Sequence, residues 1–127
     1  MTGELSGSMR DYLAVIIELE QEGKKIRAAE IARRLGVKKP SVCNAVQVLK
    51  EHGMVTADGG RNISLTEDGR AAGLAEQEKE AFFRQILLRV GLKENSAAEE
   101  ARRVAHAISD RAYEALRGQT ESGKTKE

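Results

Sequence analysis

Residues 28–53, AAEIARRLGVKKPSVCNAVQVLKEHG, decide the fold of this chain, because their pattern predicts two helices joined by a tight turn. Ile31 and Leu35 share one apolar helical face, and Gly36 can take the left-handed conformation that ends a helix. Pro40 suits the first turn of the second helix, where its missing N–H would have no intrahelical partner. Two helices around a short glycine-containing turn are typical of a helix-turn-helix.

The second of these helices separates an apolar stripe from a polar face. Val42, Val46 and Leu49 form the stripe, while Ser41 and Asn44 lie off it near the N-terminus of the helix. In a helix-turn-helix, this part of the second helix meets base edges in the major groove of DNA. The pattern therefore predicts a DNA-binding surface.

Charge in this segment favours DNA more than the balance of the whole chain does. The 127 residues include 21 Lys+Arg and 20 Asp+Glu, and the resulting formal net charge of +1 indicates no particular partner. Residues 24–50 hold eight basic residues and one acidic residue, Glu30, which is a local charge of +7. Such an excess attracts the phosphate backbone. The alternative is a solvated basic face on an ordinary helix pair.

Beyond Gly53 the pattern alternates, which predicts two short strands in a β-hairpin around Gly59 and Gly60. A hairpin that follows a helix-turn-helix is the wing of a winged-helix domain. Arg61 at its tip is a further candidate for DNA contact, although a charged tip that serves only solubility fits this residue equally well.

We therefore predict a mainly α fold, in which an N-terminal winged helix-turn-helix with a two-stranded wing precedes a helical dimerisation domain. The predicted ranges are a disordered N-terminus at 1–7, the DNA-binding domain at 8–70, the helical domain at 71–117 and a disordered tail at 118–127. The C-terminal helices carry a surplus of apolar surface, which favours a two-fold homodimer. The predicted helix N-caps are Ser8, Thr66 and Ser96, and a further short helix is predicted to begin at Ser109-Asp110.

Composition argues against several other classes of protein. The single cysteine, Cys43, cannot form an intrachain disulfide and fits a reducing cytoplasm. No apolar run reaches the length of a membrane span, and the first ten residues lack the apolar core of a signal peptide, so we expect a cytoplasmic protein. Two histidines and one cysteine offer no catalytic constellation, and we expect no enzyme. Cys43 needs no redox role, although a thiol sensor is the alternative.

Several runs of residues now point to a known family by their order and spacing. These runs are SMRDYL at 8–13, IA at 31–32 with Leu35, PSV at 40–42, LT at 65–66 with GR at 69–70, VGL at 90–92 and AHAISD at 105–110. They resemble the metal-responsive transcriptional repressors typified by the diphtheria toxin repressor and the manganese transport repressors. The resemblance implies a homodimer that binds a palindromic operator and represses metal-uptake genes when a divalent metal (Mn, Fe or Zn) is bound.

The same resemblance assigns DNA contacts by position. The family's contact positions correspond to Lys38, Pro40, Ser41, Cys43 and Asn44, and we add the neighbouring Lys39 because it shares their exposed face. Asn44 has suitable chemistry, because its amide can pair with N6 and N7 of adenine. A winged-helix module for protein assembly, or a regulator that senses a different ligand in its helical domain, is the alternative function.

The metal site departs from the family pattern. The ligand positions of manganese-sensing members project onto Asp11, Ala14, Glu80, Arg102, Ala105 and His106. Asp11 and His106 keep the expected ligand type, and Glu80 can still bind a metal. The alanines cannot, and Arg102 adds a permanent positive charge where a ligand is expected.

Each surviving ligand has a simpler alternative role. Asp11 would complete a capping box with Ser8, Glu80 would belong to a solvated acidic face, and His106 would be a half-buried, hydrogen-bonded histidine. Arg102 suggests a further hypothesis, in which its guanidinium bonds Asp11 and Glu80 and holds the helices together without a metal.

Overall fold

The structure is a computed structural model that describes residues 5–58 and 62–126, with side chains as far as residue 119. Within these ranges the chain forms six helices and one antiparallel two-stranded sheet. The elements are α1 (Gly7–Gln21), α2 (Ala28–Leu35), α3 (Lys39–Glu51), β1 (Val55–Asp58), β2 (Asn62–Leu65), α4 (Glu67–Arg89), α5 (Glu94–Ala107) and α6 (Asp110–Lys126). The predicted fold class, a winged helix-turn-helix followed by a helical domain, is confirmed.

The chain divides into two compact units, Met1–Glu78 and Lys79–Glu127, which we call the winged unit and the helical unit. The division falls within α4, later than the predicted boundary between residues 70 and 71. The first turns of α4 belong to the winged unit because they pack on α1: a Cβ at Gly73 would lie 3.1 Å from Cβ of Ile17. Arg70 also donates to both carboxylate oxygens of Glu20, each at 2.7 Å.

The core of the winged unit is aliphatic and is supplied by α1, α2, α3 and both strands. Its fully buried side chains include Leu13, Ile16, Ile17, Leu19, Ile31, Val42, Leu49 and Val55. The turn between α2 and α3 forms as predicted: Gly36 has a φ of 67°, and Pro40 lies in the first turn of α3. The predicted stripe of α3 is buried at Val42, Val46 and Leu49.

The hairpin pairs Val55 with Leu65 and Asp58 with Asn62. Val55, Ile63 and Leu65 are buried, so one face of the hairpin packs on the core and the other is exposed. The tip, with the predicted contact Arg61, lies outside the described residues.

Of the three predicted helix caps, Thr66 alone is correct, and Ser109, which was predicted only to begin a helix, is also a cap. The hydroxyl of Thr66 accepts from Gly69 N–H, and that of Ser109 accepts from Ala112 N–H, both at 3.0 Å. The prediction for Ser8 is wrong, because Ser6 caps α1 by accepting from Met9 N–H at 3.2 Å. Leu5 packs on the core just before this cap, which favours the earlier start. Ser96 is also wrong as a cap, because α5 begins at Glu94 after Lys93.

The C-terminal helix differs from the prediction at its end. α6 continues to Lys126, across the range 118–127 that was predicted to be disordered. A glycine inside a helix costs only about 1 kcal/mol relative to alanine, so Gly118 alone does not end the helix.

The helical unit has a small aromatic core. Phe83, Ala101 and Tyr113 are buried, and the rings of Phe82 and Phe83 meet edge to face with centroids 5.0 Å apart. Among the helices described, none has the length and apolar character needed to span a membrane.

Candidate DNA-binding surface and candidate metal ligands

The N-terminal part of α3 presents a continuous exposed surface. Val42, Ala45 and Val46 face the core, so the residues between them point outward. All six predicted DNA contacts of this region are exposed, and we call this set the α3 surface: Lys38, Lys39, Pro40, Ser41, Cys43 and Asn44. The structure thus brings together the residues that the sequence assigned to one surface.

The start of α3 is electrostatically suited to a phosphate group. Lys38 is the N-cap residue, its side chain makes no capping hydrogen bond, and the first turn contains no acidic residue. The positive end of the helix dipole attracts anions. Lys38 and Lys39 add two positive charges at the same end of the helix.

Two arginines that were counted in the positive charge of residues 24–50 are paired with glutamates of the winged unit. Arg34 bonds Glu22 at 2.6 Å, Glu30 at 3.1 Å and Glu18 at 3.3 Å. Arg33 bonds the same Glu30 at 2.5 Å. Hydrogen bonding to Arg34 lowers the pKa of Glu22 to about 2, and hydrogen bonding to Arg33 and then Arg34 lowers the pKa of Glu30 to about 2. The local charge of +7 therefore overstates what DNA would meet.

The cations that stay available form a smaller set. Lys24 shares Glu22 at 3.4 Å. Within the described ranges, the exposed cations of this segment that make no ion pair are Lys25, Arg27, Lys38, Lys39 and Lys50. Only two of them belong to the α3 surface.

A cavity of about 240 Å³ lies between α3 and the hairpin, and Cys43, Gln47 and Lys50 line it on the side of α3. Neither Gln47 nor Lys50 was among the predicted sites. Gln47 follows Cys43 by four residues and Lys50 follows Gln47 by three, so all three lie on one face of α3. This spacing is the sequence signal that could have identified them. Cys43 is an exposed free thiol in this cavity.

Two of the predicted metal ligands belong to the helical unit and lie close together there. Glu80 on α4 and His106 in the last turn of α5 are half-buried. A carboxylate oxygen of Glu80 and a ring nitrogen of His106 lie within 4.8 Å of each other. One imidazole and one carboxylate suit Mn, Fe or Zn, so the donor chemistry of the pair fits a divalent metal.

The other projected positions are less favourable. Ala105 is fully buried and offers no ligand atom, and Arg102 is exposed on α5. Asp11 lies on α1 in the winged unit, and with Ser6 as the cap it is too far along the helix to complete a capping box. The alternative role of Asp11 as a capping residue is therefore wrong.

Sequence reasoning missed the cations that bind carboxylates inside the helical unit. Lys79 is buried, its ammonium donates to Asp110 at 3.0 Å, and it lies 5.8 Å from the ring centre of Tyr113. Arg84 on α4 lies 3.5 Å from Glu94 on α5. The sequence gives little signal for such pairs, because the partners are ten or more residues apart.

Comparison with known proteins identifies the family. Residues 4–62 match the family model described as iron dependent repressor, N-terminal DNA binding domain. An uncharacterized HTH-type transcriptional regulator of Methanocaldococcus jannaschii is 31% identical over 115 residues, which are 89% of this chain and 92% of that protein. The chain belongs to the iron-dependent repressor family.

Further members of this family agree with that assignment. The iron-dependent repressor IdeR of Mycobacterium tuberculosis is 34% identical over 108 residues, which are 84% of this chain and 47% of that protein. The chain thus spans about half the length of the curated relatives it matches. The solved structure of the manganese regulator SloR superimposes with a TM-score of 0.79 at 26% identity, over 95% of this chain and 55% of that one. These relatives carry the names of repressors and regulators rather than of enzymes.

Proposed function

We propose that this member of the iron-dependent repressor family is a sequence-specific regulator that binds double-stranded DNA and represses transcription. The exposed α3 surface beside the hairpin carries this proposal, because a helix N-terminus with two lysines and an outward asparagine has the chemistry to bind phosphates and a base edge. The match to a DNA-binding domain supports it. Such a regulator would work in the cytoplasm.

The residues of this surface would divide the work. Asn44 would read adenine, and Ser41 and Cys43 would lie against neighbouring bases. Lys38 and Lys39 would bind phosphates, and Arg61 keeps its predicted role in contacting the backbone or the minor groove. Phosphate contacts fix the register on the duplex, whereas base contacts select the sequence.

A homodimer on a palindromic operator is the proposed assembly. Large apolar side chains of the helical unit are exposed, including Ile86, Val90 and Leu116, and 69% of Val90 is accessible. A second copy of the chain would cover them, and a two-fold dimer would present two α3 helices to successive major grooves.

The proposed effector is a divalent metal bound by Glu80 and His106. The resemblance adds Asp11 as a third ligand. When bound, the metal would supply a positive charge that neutralises the carboxylates and links their helices. Relatives named for iron and manganese support a metal of this class. The competing proposal is that the Arg102 guanidinium supplies this charge permanently and no metal is needed.

DNA binding is tested by selecting duplexes from a random pool with the full chain and measuring affinity by fluorescence anisotropy. We expect a palindromic operator. Asn44→Ala should weaken operator binding by about 5- to 150-fold, the equivalent of a lost base contact, and should change random-duplex binding little. Asn95→Ala, at an exposed asparagine of α5, is the matched control. If wild-type protein shows no salt-sensitive binding to any duplex, the assembly module is supported instead.

The metal proposal is tested by calorimetric titration of chelator-treated protein with Mn, Fe and Zn. Binding of about one ion per chain that raises operator affinity and is lost in His106→Ala would support a metal switch. Operator affinity that is equal with chelator and with metal, and that falls in Arg102→Ala, would support the built-in cation.

A further inference from the structure

The winged unit has a second cavity, beside β2, that none of the proposed DNA contacts lines. Its volume is about 360 Å³. The residues around it come from the loop between α1 and α2 and from β2: Lys24, Lys25, Ile26, Asn62, Ile63 and Ser64.

Backbone pairing explains how these residues meet. Ile63 N–H donates to the carbonyl of Ile26 at 3.2 Å, so the loop runs alongside β2. Ile26 and Ile63 are both buried. Because neighbouring side chains of an extended chain point to opposite sides, Lys25 emerges on the exposed side, where Asn62 and Ser64 also lie.

The groups around this cavity form a donor set for an anion. Lys25 makes no ion pair within the described part of the chain, and Lys24 is only partly neutralised by Glu22. The amide of Asn62 and the hydroxyl of Ser64 can both donate hydrogen bonds. All six lining residues lack a carboxylate, so no built-in negative charge competes for the ammonium groups.

The cavity lies on the same hairpin that flanks the surface we propose for DNA. Ile63 lines both this cavity and the one beside Cys43 and Lys50 of α3. Arg27 is the exposed N-cap residue of α2, and it directly precedes Ala28, which lines the cavity beside Cys43. Exposed cations are therefore found in the loop at Lys25, at the start of α2 at Arg27 and on α3.

We propose that this cavity binds a phosphate of the DNA backbone outside the base pairs that α3 contacts. The proposal rests on the DNA binding proposed above and extends its footprint. A phosphate contact carries no sequence information, so the cavity would raise affinity equally for operator and random duplexes.

The test compares Lys25→Ala with Lys93→Ala in the full chain. Lys93 is an exposed lysine before α5, so its loss changes the net charge equally. Each phosphate contact contributes about 0.9 to the slope of log affinity against log salt, which is about 3.5-fold between about 50 and 200 mM salt. Lys25→Ala should reduce this slope by about 0.9 on operator and random duplexes alike, and Lys93→Ala should leave it unchanged.

A second measurement separates DNA from a free anion. Amide signals of Asn62 and Ser64 should shift when a duplex is added to wild-type protein, and much less with inorganic phosphate. Equal slopes for wild type and Lys25→Ala would overturn the proposal, and phosphate-induced shifts in that case would identify a free-anion site. If wild-type protein binds no duplex, the proposed function fails as well, whereas failure of the slope change alone leaves it intact.

Discussion

The winged unit and the helical unit are stabilised in different ways. The winged unit encloses a continuous aliphatic core to which every one of its helices and strands contributes. The helical unit buries only Phe83, Ala101 and Tyr113 in its core cluster and leaves Ile86 and Val90 exposed. Its buried polar group, the ammonium of Lys79, is bonded to a carboxylate that is itself 88% exposed.

This difference indicates where each unit is completed. The winged unit buries most of its large apolar side chains, although Val37 and Leu74 are exposed, and the outward residues of α3 form the surface that we propose for DNA. The helical unit leaves apolar side chains exposed and holds two metal-ligating groups close together, which fits the homodimer and the metal effector that we propose. Substitutions of buried residues in the winged unit should act on folding, and substitutions at the exposed apolar and metal-ligating positions of the helical unit should act on assembly and regulation.

The sharpest way to break the comparison is Gly69→Ala in the winged unit. A Cβ at Gly69 would lie 1.8 Å from the carbonyl oxygen of Met54, which accepts from Thr66 N–H at 3.0 Å. Relief of this contact must move backbone, so we expect a loss of more than about 4 kcal/mol in the free energy of unfolding. Urea denaturation followed by circular dichroism measures it.

The matched control is Gly118→Ala in the helical unit. A Cβ there meets nothing within 4 Å, and alanine favours a helix by about 1 kcal/mol over glycine. We expect slower hydrogen exchange in α6. If Gly69→Ala and Gly118→Ala changed the free energy of unfolding equally, the two units would not differ as described.

The fold could be predicted because its main signals are local. Gly36, Pro40 and the stripe of Val42 specify the helix-turn-helix within a few residues, and the glycine pair at the hairpin specifies the wing. The position of the first cap could not be predicted, since Ser6 and Ser8 are chemically equal and the packing of Leu5 favours the first.

The site was predictable only in part, because its electrostatics depend on distant residues. Glu18 and Glu22 precede the basic segment in sequence, yet they neutralise Arg34 once α1 and α2 pack together. The sequence counted Lys25 only in the overall charge of the basic segment and assigned it no site, because its neighbours Asn62 and Ser64 approach it through the backbone hydrogen bond between β2 and the loop. Residue spacing along one helix cannot report either fact.

A second prediction contrasts a buried and an exposed side chain of similar size. Leu49→Ala removes a fully buried group of the winged unit and should cost about 2–5 kcal/mol in the free energy of unfolding. Val90→Ala should change this quantity by less than about 0.5 kcal/mol, because the side chain is largely exposed. It should instead weaken self-association in analytical ultracentrifugation. Unchanged association would argue against Val90 as part of a dimer interface.

A third prediction concerns the buried ammonium of the helical unit. Lys79→Met keeps the packing against Tyr113 and removes the cost of burying a charge, while the exposed Asp110 returns to water. We expect a change within about 1 kcal/mol, measured by thermal unfolding. A loss larger than about 2 kcal/mol would mean that the ion pair itself holds α4 to α6.

The smallest expected effect is the pH dependence of the Arg34 cluster in the winged unit. Glu22 and Glu30 have pKa values of about 2, against 4.5 for the free side chain. Because the folded values are the lower ones, these carboxylates stabilise the fold above pH 4.5, and the contribution is lost as the pH falls from 4.5 to about 2. Arg34→Leu removes the contribution of Glu22 that depends on Arg34 and part of that of Glu30, which Arg33 still bonds.

Wild type and Arg34→Leu should therefore differ most in unfolding free energy near neutral pH and converge on acidification. The carboxylates face solvent, so the difference should also shrink in high salt. Urea titrations at about pH 6 and about pH 2.5, each in low and high salt, measure both trends. A difference that does not vary with pH would assign the effect of Arg34 to the packing of its stem between α1 and α2 rather than to its ion pairs.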